Sequence, residues 1–199
     1  VARVAPAGSL LFSSNSMSIR LLDLAMATRA PSLRVLCNRG ASGIDGVTSS
    51  ALGGAASSDQ PAILLTGDLA FLHDLSGLLI ARRESIRLTI VVIDDNGGGI
   101  FSFLPIAAQA EEVGFNTLFH TPHDLDLQRI AGLFELDYCA VRDVETLERA
   151  ITESIKRVGV SIVHAPLGAE ENAARFRAAV ARGSEAVASI DVGREGATS

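Results

Sequence analysis

Six short apolar runs, each bounded by turn-forming residues, punctuate the chain: Ser9–Phe12, Leu33–Cys37, Ala62–Leu65, Leu88–Ile93, Asp137–Val141 and Val160–Ala165. Continuous runs of this length, rich in Val, Ile and Leu, read as strands buried on both faces, as in a parallel sheet. Between them lie stretches with helical spacing. Ser16 begins one, with apolar positions at Ile19, Leu22, Leu24 and Met26, and is placed to cap it. A small-residue helix runs from Thr48 to Ala56, and another starts at Phe71-Leu72-His73-Asp74-Leu75. An amphipathic helix spans Asp126 to Phe134, and a further one Val144 to Arg157, with Leu147, Ala150, Ile151 and Ile155 inward. Glu170 to Arg182 reads as a surface helix and Gly183 to Ser199 as a loose tail, so one α/β domain over 1–182 precedes a flexible tail over 183–199. The alternation predicts a six-stranded, mainly parallel sheet with helices on both faces. Residues 106–124 show no clear period, and such a long irregular piece is often a functional lid.

Composition narrows the classes. The chain has 199 residues, 48% hydrophobic, which suffices for one good core. A net charge of -6 without a basic cluster speaks against nucleic acid as a partner. No apolar run approaches the roughly 20 residues of a membrane span. Cys37 and Cys139 stand inside apolar runs far apart in sequence and read as small buried hydrophobes in a reducing compartment, with the cytoplasm as default.

Chemistry concentrates at two strand ends. Gly67-Asp68-Leu69 follows the third apolar run, and Asp94-Asp95-Asn96-Gly97-Gly98-Gly99-Ile100-Phe101 follows the fourth. Open α/β sheets bind ligands at the carboxyl ends of their strands, and an acid beside a glycine turn there can hold a hard divalent cation and, through it, a diphosphate. The plainer reading is that one Asp caps a helix and the other closes a turn. Upstream, Asn38-Arg39-Gly40-Ala41-Ser42-Gly43-Ile44-Asp45-Gly46 is a glycine-punctuated loop at another strand end. Its glycines let backbone approach a ligand, and the Arg39 guanidinium suits a dicarboxylate, or else an ion pair with a neighbour such as Asp45. His73, His120 and His123 are candidate acid–base or pocket groups, His73 otherwise being a helix-start residue.

Asp95 follows Asp68 by 27 residues, and a Gly-Asp followed at that distance by Asp, Asn and Gly resembles the metal–diphosphate motif of thiamine-diphosphate enzymes. The extended runs Asn96–Pro105 and Asn38–Gly46 resemble more narrowly the 2-succinyl-5-enolpyruvyl-6-hydroxy-3-cyclohexene-1-carboxylate synthase family of menaquinone biosynthesis. The resemblance implies thiamine diphosphate and Mg²⁺ (or Mn²⁺) as cofactors, with Asp68, Asp95 and the Gly97 carbonyl as metal ligands. It places Arg39, Gly40, Ser42, Gly43, Gly67, Leu69, Ala70 and Gly98 by the cofactor, Ile44 as the wedge beneath its thiazolium, and Ile100 and Phe101 as its apolar wall. Ser16, Arg20 and Arg39 correspond to residues that contact substrate.

The implied reaction decarboxylates 2-oxoglutarate and adds the succinyl-semialdehyde unit to isochorismate. The activating glutamate would come from the pyrimidine-binding domain of a partner subunit in a homodimer or homotetramer, since no Glu here lies in a matching motif. A first residue that is Val suggests a fragment or processed chain corresponding to the C-terminal third of such a protein, inactive alone. Two other readings stay open: a domain of an acetolactate synthase or 2-oxo acid decarboxylase type enzyme, and a non-catalytic module retaining the fold. After Pro166 the sequence departs from the family's usual ending, in which an acidic residue and an Arg follow the last strand.

Overall fold

The computed structural model describes residues 1–26 and 32–189. The six apolar runs are strands β1 (Leu10–Ser13), β2 (Arg34–Cys37), β3 (Ala62–Gly67), β4 (Leu88–Asp94), β5 (Asp137–Ala140) and β6 (Val160–Pro166). They form one sheet in the order β2-β1-β3-β4-β6-β5, and every adjacent pair is parallel. The sheet is thus parallel throughout rather than mainly so. The helices are α1 (Met17–Ala25), α2 (Val47–Ala56), α3 (Asp68–His73), α4 (Leu78–Ala81), α5 (Leu127–Leu133), α6 (Val144–Ser154) and α7 (Ala169–Ala188).

Strand alternation divides the core into two layers. Paired residues of parallel neighbours point to the same face, so Leu64, Ile90, Val92 and Ile162 share one side with Phe12 and Leu10. That side is covered by Val47, Ala51, Leu52 and Ala55 of α2, by Phe71 and Leu78, and by Leu127 and Ala131 of α5. The other side carries Leu11, Ile63, Val91 and Val163, covered by Leu22 of α1 and by Leu147, Ala150 and Ile151 of α6. The i, i+3, i+4 spacing of those α6 residues is what puts them on one stripe, and the Asp143–Thr146 capping box starts the helix in register.

Several boundaries differ from the sequence reading. The helix expected to begin at Phe71 begins at Asp68 and ends at His73, which makes His73 an exposed last-turn residue. α6 stops at Ser154, three residues short of Arg157. α7 runs through Ala188, beyond Arg182, because Glu185, Ala186 and Ala188 carry helical propensity past the lone Gly183; the tail over 190–199 lies outside the described residues. Cys37 is half-buried and Cys139 exposed, and both are free thiols. They sit on β2 and β5, the two edges of the sheet, where an apolar run is not a buried one. Among the described residues, no helix is long and apolar enough to cross a membrane.

Candidate functional site at the carboxyl ends of β3 and β4

A cavity of about 410 Å³ opens at the carboxyl ends of the central strands. Its walls include Ser16 from the start of α1, Ile44 from the glycine loop, Gly67, Asp68, Leu69 and Ala70 after β3, and Asp95, Gly97, Gly98, Ile100 and Phe101 after β4. Residues spread over 86 positions therefore converge because β1, β3 and β4 are adjacent and end at one level. Asn172, near the start of α7, completes the wall.

Asp68 is 2% exposed. Its Oδ1 accepts the Leu69 N–H at 2.7 Å, its Oδ2 accepts the Gly97 N–H at 2.7 Å, and His123 Nε2 stands 3.1 Å from the same Oδ2. Burial first, then the hydrogen bond and charge of Asp94, push the Asp68 carboxyl above its ordinary value, against the two N–H groups that pull it down. Asp95 is likewise pushed up, to about 6, by burial and then by the charges of Asp68 and Asp94. Its carboxylate sits where a Gly99 side chain would stand and is held by the Gly99 N–H. Asp94 behaves differently. Burial would raise it, but His164, at 2.8 Å from its Oδ2, together with the Asn96 N–H and Asp68, holds it at about 2.

Three carboxylates thus crowd one strand-end level with no Lys or Arg paired to any of them among the described ion pairs. Such a donor set, oxygen-rich and short of positive charge, fits a hard divalent cation. One Asp68–Asp94–His123 group has ligand atoms all within 4.8 Å of one another. Asp95, which faces the cavity, lies outside that group.

The turn after β4 is built by positive φ at Asn96 and Gly97, 59° and 145°. A side chain on Gly97 would overlap the His120 carbonyl, and that carbonyl accepts the Gly98 N–H at 2.6 Å. Asn96 and Asp124 exchange two hydrogen bonds, 2.8 and 2.9 Å, closing the irregular 106–124 segment onto the turn. The 3₁₀ turn Pro105–Gln109 leads into the segment and the π turn Asn116–His120 lies within it, with Phe119 packed edge-on against Phe101 at 5.7 Å.

The other predicted residues lie around this cavity. Ser16 precedes α1 with φ 62°, and its side chain makes no capping bond, so the expected cap is absent; its carbonyl accepts from Arg20 Nη1 at 2.6 Å. Arg20 is exposed. Arg39 donates to Asn15 Oδ1 at 2.9 Å rather than to Asp45, and Asn15, itself 3% exposed, donates to the Gly43 carbonyl at 2.6 Å. Arg39, Gly40 and Gly43 line a neighbouring pocket of about 470 Å³, and Ser42 is exposed.

Sequence reasoning missed Asp94, His164 and Tyr138, whose hydroxyl lies 2.7 Å from His164 Nδ1. A signal existed: His164 has the same parity along β6 as the buried Ile162, a polar residue on a core face.

The description "thiamine pyrophosphate enzyme, C-terminal TPP binding domain" is that of a family model matching residues 23–165. The chain is 44% identical over 164 residues to 2-succinyl-5-enolpyruvyl-6-hydroxy-3-cyclohexene-1-carboxylate synthase of Desulfitobacterium hafniense, covering 82% of this chain and 29% of that protein. With the enzyme of the same name from Listeria monocytogenes it shares 40% over 189 residues, covering 95% and 32%. With that from Myxococcus xanthus it shares 55% over 128 residues, covering 64% and 22%. The chain spans about a third or less of the length of these relatives. Among solved structures, benzoylformate decarboxylase from Polynucleobacter necessarius superposes with a TM-score of 0.65 at 18% identity, covering 84% of this chain and 32% of that one. A thiamine diphosphate-dependent 4-hydroxybenzoylformate decarboxylase of Rhodococcus jostii RHA1 gives 0.65 at 19%, covering 83% and 31%. At that identity the likeness is one of fold.

Proposed function

The chain belongs to the thiamine pyrophosphate (thiamine diphosphate) enzymes, whose C-terminal cofactor-binding domain it forms, and from that premise we propose that it serves a 2-succinyl-5-enolpyruvyl-6-hydroxy-3-cyclohexene-1-carboxylate synthase. In this reading the full-length protein decarboxylates 2-oxoglutarate and transfers the four-carbon unit to isochorismate in menaquinone biosynthesis, as a cytoplasmic homodimer or homotetramer. The observation that carries the reading is the meeting of Asp68, Asp95 and the Gly97–Phe101 turn around one cavity.

Asp68, Asp95 and the Gly97 carbonyl would hold Mg²⁺ or Mn²⁺, and the cation would relieve the crowding that raises both carboxyls. When bound, thiamine diphosphate supplies the electron sink for decarboxylation and for transfer of the remaining unit. The chain's own residues bind, orient and keep the site dry. Ile44, Ile100 and Phe101 give the cavity its apolar walls and exclude water. Gly67, Leu69, Ala70 and Gly98, which line the cavity, would face the diphosphate. Arg20 and Arg39 would offer guanidinium groups to the carboxylates of two dicarboxylic substrates, and Ser16, whose carbonyl holds Arg20, lines the cavity. No glutamate lines this cavity, so the acid that activates the aminopyrimidine is assigned to the pyrimidine-binding domain of a partner subunit.

Titration of thiamine diphosphate with and without Mg²⁺ tests the site. Binding is expected to require the metal and to fall at least tenfold in Asp68→Ala; unchanged binding in that variant would refute the assignment. Release of CO₂ from 2-oxoglutarate by the full-length protein, dependent on isochorismate for product, tests the reaction.

A further inference from the structure

The strand-end acids face opposite ways. Asp94 is the last residue of β4 and shares its parity with Val92, on the face covered by α2 and α5. The cavity lies on the other face, with Leu65, Ile93 and Leu21 in its walls; Asp95 lines it and Asp94 does not. Asp68 touches both sides. Behind it, away from the cavity, runs a hydrogen-bonded chain across three strands, Tyr138 hydroxyl to His164 Nδ1 at 2.7 Å and His164 Nε2 to Asp94 Oδ2 at 2.8 Å, and Asp94 Oδ1 ends it 3.7 Å from His123 Nε2. Register explains the alignment, because His164 pairs with Val92 on one side and with Ala140, two residues past Tyr138, on the other.

The tautomers follow from the partners. The Leu125 N–H donates to His123 Nδ1 at 3.0 Å, so a neutral His123 carries its ring proton on Nε2, which lies 3.1 Å from Asp68 Oδ2 and 3.7 Å from Asp94 Oδ1. A His123 that bound metal through Nε2 would need its proton on Nδ1, facing the Leu125 N–H, two donors in opposition. For His164, the carboxylate at Nε2 requires the proton there, and Nδ1 accepts the Tyr138 O–H.

We propose that His123 and His164 are positioning residues that brace the metal-binding carboxylate of Asp68 from behind: His123 donates to Asp68, and His164, set by Tyr138, fixes Asp94, whose Oδ1 lies 3.7 Å from the same His123 Nε2 and holds that ring in place. The proposal rests on the reading in which Asp68 and Asp95 hold the cation, and it removes His123 and Asp94 from the ligand set. Ligating carboxylates are commonly fixed by such outer partners, whose loss weakens metal affinity by about 10–100-fold.

The test uses the full-length protein, Mn²⁺ as the probe in the presence of thiamine diphosphate, affinity by calorimetry and coordination by pulsed electron paramagnetic resonance. His123→Leu is expected to weaken Mn²⁺ binding by about 10–100-fold, whereas His123→Gln, whose amide N–H reaches nearly as far as imidazole Nε2–H, restores most of the loss. Tyr138→Phe, a milder change on the edge strand, frees His164 Nδ1 to take the proton and is expected to lower affinity several-fold with thermal stability kept. Wild-type affinity in His123→Leu, a Gln variant as weak as Leu, or ¹⁴N coupling from a directly bound imidazole would each overturn the proposal. Unchanged affinity in Tyr138→Phe would overturn its His164 half. Asp68→Ala in the same titration separates the two levels. If it abolishes binding while His123→Leu does not, the bracing alone fails; if it leaves binding intact, the metal reading fails and the bracing with it.

Discussion

Gly99 has no side chain in the one place where the Asp95 carboxylate needs the room. Gly99→Ala would force that carboxylate aside while leaving the core untouched, so Mg²⁺-dependent thiamine diphosphate affinity is expected to fall at least tenfold with an unchanged circular dichroism spectrum, as calorimetry would show. The same carboxylate sets a pH dependence. Raised from 3.8 to about 6, it binds its proton more tightly in the folded than in the unfolded metal-free chain. Its stabilising contribution is therefore complete below its unfolded value and is lost as pH rises through about 6, and Asp68, also raised, acts in the same direction. Asp94, held at about 2, works the opposite way but only at more acid pH. Urea unfolding in chelator is expected to show stability declining between pH about 4 and about 6, with Mg²⁺ and thiamine diphosphate flattening the decline. Stability that rises over that interval would contradict the assignment.

At the scale of elements, the apolar runs announce all six strands: the inner four, β1, β3, β4 and β6, are buried and need no alternation to be recognised, and the exposed edge strands β2 and β5 share their composition. Asp68 and Asp95 are legible as strand-end acids: one follows Gly67 at the end of β3, and the other leads from β4 into the glycine turn. Asp94, His164 and Tyr138 are not, since their contacts span up to 70 residues and depend on the register of β5, β6 and β4, which no local spacing encodes. The cysteines mislead because an edge strand has the composition of a central one. The seating of the first half of α7 is equally a tertiary matter. It is fastened to the 99–103 turn by Phe176 packed edge-on against Phe103 at 5.1 Å, by buried Ala173 and by Arg177 donating to the Ser102 carbonyl at 2.6 Å. Phe176→Ala is expected to cost about 1–2 kcal/mol and to speed amide exchange at Ile100 and Phe101, measured by urea unfolding and hydrogen exchange.

At the scale of the whole molecule, the open β2 edge of the sheet carries exposed apolar side chains. Val35 and Leu36 of edge strand β2 are 40% and 41% exposed, and Leu24 and Met26 are exposed at the end of α1. An open edge carrying apolar side chains invites pairing. The 199-residue chain is expected to self-associate in sedimentation at micromolar concentration, and Val35→Lys to shift it toward monomer; a clean monomer for the unaltered chain would contradict this. The clasp between Asn96 and Asp124 carries a different consequence. By knotting the two ends of an excursion together at its base, it uncouples how long the excursion is from how the glycine bend is shaped. Extra residues at the exposed tip near Glu111 and Glu112 would enlarge a ring already shut, and doubling such a ring adds only about 0.6 kcal/mol. This is where the protein can lengthen the segment without redrawing the glycine bend at its base.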